Sequence, residues 1–155
     1  MYNKLFFALL ALNSAHANNI NLPENNAEHI KLGELTIEVR NISKMEGNIN
    51  IAVFHNKDKW LKKAIFSTSL IIDDENCQQS SCHWLIKNIK YGDYGIATFH
   101  DVDKDGKMKY SFLGMPQENY GFSNNKTSFF GLPPSWNKAT FKVNKQEVTH
   151  TINLL

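Results

Sequence analysis

Arginine is nearly missing from this chain: Arg40 is the only one in 155 residues. A forked guanidinium is the usual means of gripping phosphate at two points, so a phosphate-reading surface has little support. Charge points the same way. Seventeen basic residues face 15 acidic ones, whereas nucleic acid demands a strongly basic face. Long apolar runs are scarce too. The run at residues 5–12 is too short to span a bilayer, which takes about 20 apolar residues, and no later segment approaches that length, so no integral membrane segment is expected. Helical periodicity beyond two turns is lacking after residue 17. Cysteine is limited to Cys77 and Cys82. Their spacing fits neither the Cys-x-x-Cys of thiol oxidoreductases nor a four-ligand zinc pattern.

What is present begins with an address. Lys4 precedes the apolar run, and Ala15-His16-Ala17 forms a small-x-small cleavage signal. Residues 1–17 therefore read as a secretory signal peptide, and the protein as exported, periplasmic or extracellular. No cysteine follows the cleavage point, which argues against a lipid anchor there. In an oxidising compartment Cys77 and Cys82, set in a polar stretch, read as a disulfide. Closing so short a loop contributes about 2 kcal/mol. Residues 18–33 are polar and rich in asparagine, and read as a flexible arm. One β domain over 34–155 remains.

Short β-rich runs fill that domain. Residues 35–39 and 49–54 alternate apolar and polar side chains as half-buried strands do, and Gly47-Asn48 between them suggests a hairpin. Runs at 66–72 and 83–89 flank the cysteine pair, which would tie them as neighbours. Runs at 94–100, 139–143 and 148–154 bring the count to seven, with one helical turn expected within 58–64. Seven short strands separated by turn signals predict an all-β antiparallel sandwich.

The informative segment is the irregular connection after the fifth run. It opens Asp101-Val102-Asp103-Lys104-Asp105-Gly106-Lys107. Carboxylates at i, i+2 and i+4 followed by glycine form the first half of a calcium loop, because a chain curling through that spacing aims all three at one centre. Hard oxygen donors favour Ca²⁺ over softer metals. The twelfth loop position is Phe112 where an EF-hand would have Glu, so this is not an EF-hand. Six to eight oxygens are needed; the Lys107 carbonyl and Glu118 are the further candidates. The competing reading is a solvated turn in which Lys104, Lys107 and Lys109 neutralise the acids.

Catalytic constellations find less support. Ser123 lacks the second glycine of a nucleophile elbow. His100 and Asp101 are strand neighbours and so point to opposite faces. Phe129, Phe130 and Trp136, in a Pro-rich stretch, are a possible binding surface for a protein or glycan; the structural alternative is that they close one end of the core.

Taken together, the strand ending His100-Asp101, the acidic loop, the stretch Gly114-Met115-Pro116-Gln117-Glu118-Asn119-Tyr120-Gly121-Phe122-Ser123-Asn124, and Pro134-Ser135-Trp136 leading to Ala139 and Phe141 resemble a group of secreted bacterial proteins, domain-of-unknown-function family 2141. The resemblance spans residues 35–154. It implies an exported immunoglobulin-like or prealbumin-like β-sandwich and no established activity. Relatives often carry another acid at the position of Lys109. Two expectations result: a non-catalytic binding or envelope-associated module with a Ca²⁺-organised acidic loop, or an extracellular hydrolase using Asp101, Asp103, Asp105 and Glu118.

Overall fold

The computed structural model describes residues 30–128 and 131–155. The expected signal peptide, residues 18–29 of the arm, and Phe129 and Phe130 lie outside the described residues. Strand β1 (Leu32–Arg40) follows from its alternation: Leu35, Ile37 and Val39 are buried, and the residues between them are partly exposed. It begins within the last two residues assigned to the arm, because Gly33 pairs with Ile89. Strand β2 (Asn48–Phe54) repeats the pattern with Ile49, Ile51 and Val53.

These two strands do not form the expected hairpin. β1 pairs with β5 (Ser81–Lys90) and with β9 (Glu147–Asn153), whereas β2 pairs with β3 (Phe66–Ile71) and β6 (Gly92–Asp101). Each strand carries one apolar face, and placing them in opposite sheets buries both faces against each other. One sheet runs β4-β5-β1-β9, where β4 is Cys77–Gln78. The other runs β3-β2-β6-β7, with β7 at Tyr120–Phe122, and β8 (Phe141–Val143) also pairs with β6.

The seven antiparallel strands are therefore corrected in two respects. Nine strands occur among the described residues, β4 and β7 being additional, and the β1–β9 pair is parallel. β3 and β5 lie in different sheets, so the cysteines do not tie them together. Cys77 and Cys82 instead face each other at disulfide distance across the β4–β5 hairpin, whose central residues Gln79 and Ser80 both have positive φ. That is the backbone of a type I′ turn. An extra residue in β5 between Ile86 and Ile89, with Asn88 at φ 55°, lets both isoleucines face inward.

The core lies between the sheets, where Leu35, Ile37 and Ile152 meet Ile49, Ile51 and Ile96. The alternation of β6 positions the acidic loop. Tyr94, Ile96, Thr98 and His100 point into the core, so Gly95, Ala97, Phe99 and Asp101 lie on the outer face of the five-stranded sheet. Gly95 is required there: a Cβ would lie 2.8 Å from the Trp60 ring and 3.0 Å from Trp136. Trp60 follows a 3-10 turn (Lys57–Lys59) capped by the Asn56 side chain, within the region expected to be helical. Trp136 opens the short helix α1 (Trp136–Ala139).

Candidate functional site

Asp101 ends β6 and faces out of the sheet, yet it is only 1% exposed because the loop after it folds back over it. Its Oδ1 accepts the N–H of Asp105 at 3.1 Å, and its Oδ2 accepts the N–H of Gly106 at 2.8 Å and the Asn50 side-chain amide at 3.1 Å. The i to i+4 spacing read from the sequence therefore has a concrete cause: one buried carboxylate collects the amides of the turn. Lys104 and Gly106, at φ 63° and 75°, supply the left-handed backbone that the curl needs. Asp105 accepts the N–H of Lys107 at 2.8 Å, which tightens the next turn.

The loop brings one carboxylate oxygen each from Asp101, Asp103 and Asp105 within 4.8 Å of one another. Three hard oxygen donors so placed could hold a metal ion. Asn48 sits directly opposite Asp101 in the β2–β6 register and keeps a buried side-chain oxygen with no hydrogen-bond partner. Lys109 works in the opposite direction, because its ammonium group pairs with Asp103. The contact holds the Asp103 carboxyl below the usual carboxylate range and raises the Lys109 ammonium above its ordinary value, in each case first through the hydrogen bond between them. Glu118 is not among the converging carboxylates; its Oε2 accepts the Lys109 N–H at 3.1 Å and so fixes the loop's return.

The residues weighed for catalysis are committed elsewhere. Ser123 is fully buried; its hydroxyl donates to the Ala139 carbonyl at 2.6 Å and accepts the Ile96 N–H at 2.9 Å. His100 is 1% exposed, with Nε2 2.8 Å from the Glu46 carbonyl. Trp136 is half-buried, 5.8 Å ring to ring from Trp60. It packs against Trp60 and Gly95 on the outer face of the five-stranded sheet.

Sequence reasoning missed a cleft of about 700 Å³ on the same outer face. Its floor is set by register. One row reads Ser69, Asn50, Phe99, Tyr120, and the next reads Ser67, Ala52, Ala97, Phe122. Gly106, Met108, Tyr110 and Pro116 of the acidic loop form one wall, and Leu132 and Pro133 stand in another. Small residues at alternate positions of β2, β3 and β6 were the one available signal, and they acquire meaning only once the strand order is known.

Two sheets facing each other across a shared core, with a converging Asp triad where β6 runs into its loop, define a two-sheet β domain with a candidate cation loop. The chain belongs to the family described as "Uncharacterized protein conserved in bacteria" (DUF2141), which matches residues 37–151. No curated protein and no solved structure matches it. No helix among the described residues is long and apolar enough to cross a membrane.

Proposed function

We propose that this protein is an exported, non-catalytic binding module with an immunoglobulin-like or prealbumin-like sandwich, its acidic loop organised by Ca²⁺. The observation that carries this reading is the convergence of Asp101, Asp103 and Asp105 within 4.8 Å, beside the orphaned buried oxygen of Asn48. Such a set suits a hard cation, and Glu118 and the Lys107 carbonyl would complete the shell from the rim. Lys109 serves as the internal counter-ion of the metal-free loop, and calcium must displace it from Asp103. Extracellular calcium is plentiful enough to fill a weak site of this kind. Disulfide-distance cysteines accord with export to an oxidising compartment.

The hydrolase alternative gains no comparable support. A general acid needs a carboxyl that keeps its proton near neutral pH, and Lys109 moves Asp103 the other way. The carboxylates gather around one point rather than flanking a substrate path.

Thermal melting tests the proposal. Calcium at tenfold its Kd adds about 1.4 kcal/mol, or roughly 5 °C for a domain of this size. Asp103→Asn should abolish the shift, and Lys109→Asp should enlarge it. Equal melting temperatures in millimolar calcium and in chelator would reject the calcium-organised loop.

A further inference from the structure

We propose that the cleft on the outer face of the five-stranded sheet binds an uncharged saccharide, an inference that rests on the binding-module reading and supplies its ligand class. None of the side chains lining the cleft carries a formal charge, although 21% of the chain is Asp, Glu, Lys or Arg. A charged ligand would find no counter-ion there, so the ligand is neutral.

The floor divides into two chemistries along the strand order. Ser67 and Ser69 of β3 and Asn50 of β2 form a polar end, and Phe99 and Tyr120 form an aromatic end, backed by the buried Phe122. Neighbouring strands lie about 4.8 Å apart, so crossing four strands spans roughly 14 Å, room for two or three sugar rings. Ala52 and Ala97, paired across β2 and β6, keep the centre of the floor low. Tyr110, 61% exposed, stands on the loop wall.

A sugar ring matches both ends at once. Its C–H face lies on aromatic rings while its equatorial hydroxyls reach amide and hydroxyl groups. A purely apolar ligand matches only one end, because it would cover the Ser67 and Ser69 hydroxyls without offering them a partner. The wall built by Gly106, Met108 and Tyr110 belongs to the loop rooted on Asp101. Loop order and ligand affinity are therefore coupled: calcium bound to that loop preorganises the wall.

The test is a calorimetric and NMR titration of the full mature domain, with calcium and with chelator. The probes are neutral gluco-, galacto-, manno-, xylo- and N-acetylhexosamine oligomers, together with N-phenyl-1-naphthylamine as an uncharged apolar probe. The expected result is binding of at least one oligomer, with shifts centred on residues 50, 67, 69, 97 and 99. Ala97→Leu should raise the floor and weaken that binding at least tenfold. Ser69→Lys, at an exposed position, should do the same without disturbing the fold, as checked by its melting temperature. Binding of the apolar probe alone overturns the ligand class, and silence from every probe overturns the cleft as a site. Calcium stabilisation read on the same samples separates the two claims. Stabilised but sugar-silent protein refutes only this inference, whereas sugar binding with no calcium response refutes only the calcium-organised loop.

Discussion

The two outer faces of the molecule are built from the same alternation and finished in opposite ways. On the four-stranded sheet, Glu38 accepts from Thr151 at 2.8 Å and pairs with Arg40 at 2.8 Å and His83 at 3.4 Å. Arg40 and His83 reach water on that face, while the Glu38 side chain between them is only 12% exposed. On the five-stranded sheet the corresponding positions are Ser, Asn, Ala and Phe, and long connections cover part of them. Of the two acids in β6, Asp93 is exposed at the start of the strand, whereas Asp101 is buried and spends both oxygens on organising a loop. Removing Glu38 releases two cationic partners that already reach water; removing an acid buried under a turn strands buried amides. Both proposed sites lie on the second face.

The contrast breaks most readily at the two acids. Asp101→Ala strands the amides of Asp105 and Gly106 and should cost about 3 kcal/mol, while Glu38→Ala, whose cationic partners reach water, should cost about 1 kcal/mol. Denaturant midpoints on both variants decide this, and equal costs would erase the distinction between the faces.

Acid titration sharpens it from the other side. His150 stacks on Phe141 at 3.9 Å, accepts the Asn124 N–H, and is pushed down to about 4 by burial. Between that value and the ordinary histidine range near 6.5 the unfolded chain binds the extra proton, so the stability is full above that range and is lost as pH falls toward 4. The Glu38 carboxyl, lowered first by its hydrogen bond to Arg40, contributes stability above its unfolded value and loses it as pH falls further. His150→Gln should flatten the upper part of the acid limb, and Glu38→Gln the lower part; melting temperature against pH reads both.

The smallest effect belongs to the tip of the acidic loop. Phe112 is 96% exposed, so Phe112→Ser should move stability by less than about 0.5 kcal/mol. A larger loss by denaturant melting would show that the tip packs in solution.

Legibility in the sequence followed locality. All seven predicted runs contain a strand, although the run at 139–143 opens in α1 and is a strand only from Phe141, and the alternation is clearest in β1 and β2. β4 was hidden because Gln79 and Ser80 adopt a type I′ turn without the usual Asn or Gly. β7 was hidden because its three residues include Gly121, packed where a Cβ would meet Ile152. The wrong hairpin and the unforeseen parallel pair share a cause: strand order is tertiary, and a period of two does not encode which sheet a strand joins. The same divide runs through the site. The Asp triad is one short segment and could be read directly. The orphaned Asn48 oxygen and the neutral cleft depend on which residues stand opposite one another in β2, β3 and β6.

The most direct test of the calcium-organised loop is a calcium titration followed at backbone amides by heteronuclear NMR. Saturable shifts concentrated on residues 101–109, with the Lys109 side-chain signal moving as it leaves Asp103, are the predicted result. Amides of that segment that stay fixed through millimolar calcium would contradict it.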